Sequence, residues 1–304
     1  MNKFIWLLRR EIWESRVVWI APAICGGIMI LGTLLGVLKT GSVQLDSDLL
    51  AKLHTNLTPE RARGLTSVVL MGMTMPFLIT VLFSQTFYTL DALYGERRDR
   101  SILFWRSLPI SDTATVLSKV VVGALLIPGV AAIAAFATEA ILLAIATAKA
   151  ASVVPMMAYV WSPAVWGAWA VALVYLTLAS ALWYLPAVGW NLLVSAWAPR
   201  SPLIYASLAP LAIALAEKVA FGTNTFLHAI GTFYAGFAHR VIGPPGNGMP
   251  IELGDETMNV PSTAFDIIHP IDFLSTPQLW VYVAIGAAMI AGAVWMRRYR
   301  DSVA

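Results

Sequence analysis

The 304-residue chain has a single cysteine, Cys25, and only 12% of its residues are Asp, Glu, Lys or Arg. One cysteine excludes an intrachain disulfide and a cysteine-built metal cluster. Cys25 follows the bulky Ile24 inside an apolar run, which does not fit a lipoprotein cleavage site, so it reads as a packing residue. The shortage of charge excludes an ordinary soluble domain, where about a quarter of residues are charged. No Gly-x-x-x-x-Gly-Lys-Ser/Thr phosphate loop, Gly-x-Ser-x-Gly elbow or His-Glu-x-x-His helix occurs. Four histidines, His54, His228, His239 and His269, fall at unrelated spacings and read as separate surface residues. Met71, Met73 and Met75 alternate, which spreads them around a helix and suits packing better than a soft-metal path. The chain reads as a non-enzyme with no cofactor or metal of its own. Its net charge of +3 is too small for a nucleic-acid footprint.

What the chain has is apolar length. Apolar residues make up 59% of it, in runs of the roughly 20 residues that a helix needs to cross a bilayer. In hydrocarbon every backbone polar group must be satisfied internally, and long continuous runs favour helices over the alternating strands of a barrel. The expected fold is all-α and polytopic, a single transmembrane domain with six spans. They fall at about 17–38, 65–90, 113–146, 164–185, 203–220 and 277–296. Pro76 marks a kink in the second span. Ser111 or Asp112 is suited to cap the third helix and Thr276 the sixth. Residues 187–198 are apolar but too short to cross alone; they extend span four or lie along the surface. A polar segment, 221–275, with its Gly243–Gly248 run, is either an exit gate or a cap.

Before the first span, residues 2–16 place Phe4, Ile5, Leu8 and Ile12 on one side of a helix and Arg10 and Glu14 on another. This describes an amphipathic helix lying in the interface, with Trp6, Trp13 and Trp19 at headgroup level. Gly32 and Gly36 form a small-xxx-small pattern that lets another helix approach closely. With the N-terminus inside, the cytoplasmic segments hold Lys3, Arg9, Arg10, Arg16, Arg97, Arg98, Arg100, Arg106, Lys119, Arg200, Arg297, Arg298 and Arg300, thirteen of the 20 basic residues. Positive charge inside then puts both termini in the cytoplasm. Glu139 follows Lys119 by twenty positions, roughly 30 Å of helix, so one can sit at each interface. Glu139 is a candidate for a translocation path, with interface placement as the competing reading.

The segment 91–112 is the densest in charge. Its apolar quartet Ile102-Leu-Phe-Trp105 sits between Arg100 and Arg106 and cannot span anything. It covers helix ends, dips into the interface or docks on a partner. The pattern Glu96-Arg97-Arg98-Asp99-Arg100-Ser101, then Leu108-Pro109, then Leu117-Ser118-Lys119 resembles the first cytoplasmic loop of ABC transporter permeases of the type-2 exporter family. The recognisable residues are confined to about 88–119, although the six-span layout and N-terminal helix are similar too. The resemblance implies the permease subunit of an ATP-driven exporter, which forms the translocation path, pairs with a second permease subunit (the same or a similar chain) and docks two copies of a separate ATPase that bind ATP and magnesium. It makes 91–112 the coupling loop, with Asp91 and Tyr94 at its root and Glu96 through Trp105 as the coupling element. Arg97, Arg98 and Arg100 would make charged contacts, with Asp99 among them in the element, and Ile102, Phe104 and Trp105 would pack against the ATPase or the N-terminal helix. The implied location is the plasma (inner) membrane of a bacterium. A membrane-embedded lipid-modifying enzyme and a non-transporting scaffold or sensor subunit are the alternatives.

Overall fold

The computed structural model describes residues 3–40, 59–101, 110–149, 159–241, 249–253, 256–260, 264–266 and 268–299. Helix α1 spans Lys3–Glu14, α2 Val17–Thr40 and α3 Pro59–Arg98. Helix α4 covers Asp112–Lys149 and includes one π turn, Val122–Leu126. Then come α5 Pro163–Trp183, α6 Leu185–Trp197, α7 Pro202–Phe221 and α8 Thr225–Val241. Strands β1 (Met249–Leu253) and β2 (Glu256–Val260) pair antiparallel, with Met249 opposite Val260 and Leu253 opposite Glu256. Helices α9 (Pro270–Ser275) and α10 (Pro277–Tyr299) end the described chain. Six helices, α2, α3, α4, α5, α7 and α10, are long and apolar enough to cross a bilayer. The protein is a helical, multi-pass membrane protein, and the small hairpin lies within 221–275.

Three boundaries differ from the sequence expectation. Helix α3 runs on through Arg98, so the first eight residues assigned to a coupling loop are helix. Residues 187–197 belong to α6, a separate helix that continues α5 across a break at Tyr184. Pro186 accounts for the break, because it has no N–H for the carbonyl four residues back and its ring crowds that carbonyl. The third difference is α8, a 17-residue helix inside the segment read as polar.

The π turn has a similar cause. Ile127 N–H bonds back to Val122 O, and Pro128 has no N–H to give. Gly123 O lies between these two positions and accepts instead from Gln85 Nε2 of α3 at 3.0 Å. A side chain from the neighbouring helix thus satisfies a carbonyl that a proline leaves without its helical donor.

Packing is tightest where backbones meet. A Cβ on Gly189 of α6 would lie 2.8 Å from Gly286 O, and one on Gly286 of α10 would lie 2.7 Å from the Leu185 carbonyl carbon. Gly26 of α2 likewise meets the Thr138 side chain of α4. By contrast, among the described residues none comes within 4 Å of a Cβ built on Gly32 or Gly36. The close approaches between described helices are carried by Gly26, Gly189 and Gly286. The largest apolar core joins α5 to α8, α9 and α10, with Trp169, Trp183, Phe237, Phe273 and Leu279 buried together. Trp183 donates to Phe233 O at 2.9 Å and meets Tyr282 edge-on at 5.1 Å. Helix α8 is therefore held as an aromatic cover on this core. Its first turn is capped from α7, because the Glu217 carboxylate accepts from Thr225 N and Phe226 N at 2.7 and 2.8 Å.

Candidate functional site

The end of α3 and the start of α4 meet helix α1 and the last turns of α10, and we refer to this as the basic end. Six charged side chains converge there. Glu96 accepts from Arg10 of α1 at 3.1 Å, pairs with Lys119 of α4 at 3.0 Å and binds Arg297 of α10. Glu11 of α1 pairs with Lys119 at 3.0 Å and with Arg10 at 2.8 Å, and it accepts the Tyr88 hydroxyl at 3.0 Å. Arg297 also reaches Asp112 at 3.1 Å. Glu11, Glu96, Lys119 and Arg297 are all buried. Three carboxylates and three cations balance, which is the condition under which buried charge is tolerable. Burial works against the Arg10 charge, but Glu11, Glu14 and Glu96 outweigh it and raise its pKa above the usual arginine value.

Arg97, the next residue, is tied in another direction. Its guanidinium donates to Ser195 O and Ala198 O at 2.7 and 2.8 Å, at the buried carbonyl end of α6. A cation there satisfies carbonyls without helical donors and complements the helix dipole. Ser195 Oγ returns the contact by accepting from Leu93 N and Tyr94 N at 3.0 and 2.9 Å. Adjacent residues at the end of α3 thus reach four other helices: Glu96 reaches α1, α4 and α10, and Arg97 reaches α6.

Of the expected coupling residues, Glu96 and Arg97 face inward and are spent on the protein's own helices. Their assignment as contacts to a partner does not fit that burial. Asp91, Arg98, Asp99 and Arg100 are exposed. Tyr94 is half-buried with the Arg97 and Arg98 guanidiniums beside its ring, at 5.8 and 5.7 Å. Arg98 donates to Asp99 at 2.9 Å, and that hydrogen bond holds the exposed Asp99 carboxyl below its ordinary pKa. Arg100 ends the helix with a positive φ of 56°. A left-handed residue at this position closes many helices, usually as glycine, and a side chain with a Cβ is strained there. Ile102, Phe104 and Trp105 lie outside the described residues.

Helix α1 has one side turned to the bundle and one turned away from it. Leu7 and Glu11 are buried, while Ile5, Trp6 and Trp13 point outward. The Glu11–Lys119 ion pair lies on the side turned to the bundle. Ser111 caps α4 as expected, its Oγ accepting from Ala114 N at 3.2 Å, while Thr276 donates its hydroxyl to Asp272 O.

Glu139 lies far along α4 and is fully buried. Its Oε1 is 2.6 Å from Thr74 Oγ1 of α3, and its Oε2 accepts Trp169 Nε1 of α5 at 2.7 Å. Sequence spacing did not indicate these partners. Among the described residues, no three His, Cys, Asp or Glu side chains group to hold a metal ion. No protein-family model, curated protein or solved structure matches the chain.

Proposed function

We propose that the chain is the permease subunit of an ATP-driven ABC exporter, and that the basic end is where it receives force from a separate ATPase. The observation that supports this reading most directly is the division of labour at the end of α3. Glu96 and Arg97 bind that end to α1, α4, α6 and α10, while Arg98, Asp99 and Arg100 project from it. A push on the exposed tip would therefore move several helices together, because a closely packed ionic junction resists local deformation. A cleft of about 670 Å³ opens beside the tip, with the Glu14, Asp91 and Asp99 carboxylates on its wall.

In this reading the basic end is cytoplasmic, α1 lies in the membrane interface with Trp6 and Trp13 outward, and both termini are inside. The membrane is the bacterial plasma membrane. Two permease subunits pair, two ATPase copies bind ATP and magnesium, and this chain supplies no nucleotide site. Ile102, Phe104 and Trp105 supply apolar contacts to the ATPase.

The test is copurification with the ATPase encoded beside this chain's gene, together with ATP hydrolysis by the complex. Reversing Arg98 and Arg100 to Glu is expected to abolish both without changing the thermal stability of the permease. If the complex and its activity survive that reversal and alanine at Ile102, Phe104 and Trp105, the coupling assignment is wrong.

A further inference from the structure

A cavity of about 220 Å³ lies between α3, α4, α5 and α8. Thr74, Phe77, Gln85, Leu176, Tyr184 and Phe237 are among its lining residues, and its wall is almost wholly apolar. Ile79 and Leu82 also line it and are exposed on the apolar outside of the bundle, so the cavity borders the hydrocarbon region. One wall residue, Thr74, holds the Glu139 carboxyl at 2.6 Å. Ala135, one turn before Glu139 on α4, and Leu173, one turn after Trp169 on α5, line the cavity as well. Glu139 is thus one side chain removed from its polar extremity.

Glu139 differs from every other buried acid in the described chain in having no cation beside it. Glu11 and Glu96 each face two or more basic groups, whereas Glu139 is held only by a hydroxyl and an indole N–H. A carboxylate out of water without a countercharge is costly, and either a proton or a bound cation removes that cost. Depth supports the second. Twenty residues of helix place Glu139 roughly 30 Å from Lys119, about the thickness of the hydrocarbon core. The cavity extends from Thr74 toward Gln85, eleven residues along α3 or roughly 16 Å, into the bilayer. An amphiphile with its head at one interface and its chain toward the midplane has this shape.

We propose that the cavity binds a single-chain amphiphile bearing a protonated amine, with the chain along Phe77 and Leu176 and the ammonium displacing Thr74 from Glu139. The site is read from the chain alone. That such an amine is the exported substrate rests in addition on the transporter reading.

The experiment is calorimetric titration of the full-length protein in maltoside micelles with decylamine, decanol and decanoate, which share a chain and differ in head charge. The protein is used without an ATPase, so failure of the coupling assignment would not affect the result. Wild type is expected to bind decylamine at least tenfold more tightly than decanol and decanoate. Glu139→Gln can keep both hydrogen bonds and is expected to reduce decylamine affinity to that of decanol, leaving decanol unchanged. Leu176→Trp fills the cavity and is expected to abolish binding of all three above the micelle background. Equal binding of amine and alcohol by wild type would overturn the proposal, and that comparison needs no variant to fold. So would an amine preference that survives Glu139→Gln, or binding that survives Leu176→Trp.

Discussion

Glu96 and Glu139 are both buried carboxyl groups on long helices, yet their surroundings differ in kind. Glu96 is met by Arg10, Lys119 and Arg297, so its charge is neutralised by groups from three other helices. Glu139 is met by Thr74 and Trp169, which donate or share hydrogens but carry no charge. The first arrangement makes a junction: remove the acid and cations are left facing one another. The second leaves a carboxyl group with no cation beside it among the described residues. Burial alone therefore does not distinguish a structural acid from a ligand-binding one; the countercharge does.

The contrast can be broken from the Glu96 side first. Glu96→Ala leaves the buried Lys119 and Arg297 without that carboxylate, and removal of one partner from a buried ion pair costs about 3–5 kcal/mol. The expected outcome is a large fall in thermal stability in detergent, with weakened attachment of α1. Adding Lys119→Met is expected to recover part of the loss, since it removes the cation left in excess at the junction. Glu139→Ala is expected to cost less, about 1–3 kcal/mol, because it strands an indole N–H but no charge, while the Thr74 hydroxyl keeps Leu70 O at 3.0 Å. The same melting measurement compares the two, and an equal or larger loss at Glu139 would break the comparison.

Smaller changes sharpen it. Arg97→Ala removes the donors to the α6 carbonyls and is expected to destabilise by about 1–3 kcal/mol, with raised amide exchange confined to the end of α6. Arg100→Gly removes a Cβ from a left-handed position and is expected to stabilise by up to about 1–2 kcal/mol. A melting temperature unchanged or lowered by Arg100→Gly would argue that the Arg100 side chain makes a contact that offsets the backbone strain.

Much of the architecture was legible in the sequence because hydrocarbon imposes a simple rule on length and polarity. The six long apolar helices follow from that rule, and α4 matches its expected span to within a few residues. Helix α8 escaped it because Thr225, His228, Thr232 and His239 dilute its hydropathy. A helical signal was nevertheless present, as Phe226, Ile230, Phe233, Phe237 and Val241 recur at spacings of three and four. The glycine pairing was harder to read. Gly32 and Gly36 fit a packing pattern on one helix, whereas Gly189 and Gly286 are nearly a hundred positions apart and meet only when α6 crosses α10.

The sequence by itself determined that this is a helical membrane protein, since so few charges cannot cover so much apolar surface in water. It also marked the charged segment after the second span as exceptional. Only the tertiary structure decided what those charges do. Arg10, Glu11, Glu96, Lys119 and Arg297 come from four helices distributed over nearly the whole chain, and no local pattern states that they converge. The physical reason is that an ion pair depends on distance in space. Hydropathy reads one helix at a time, but a buried charge is settled by whichever helix packs against it.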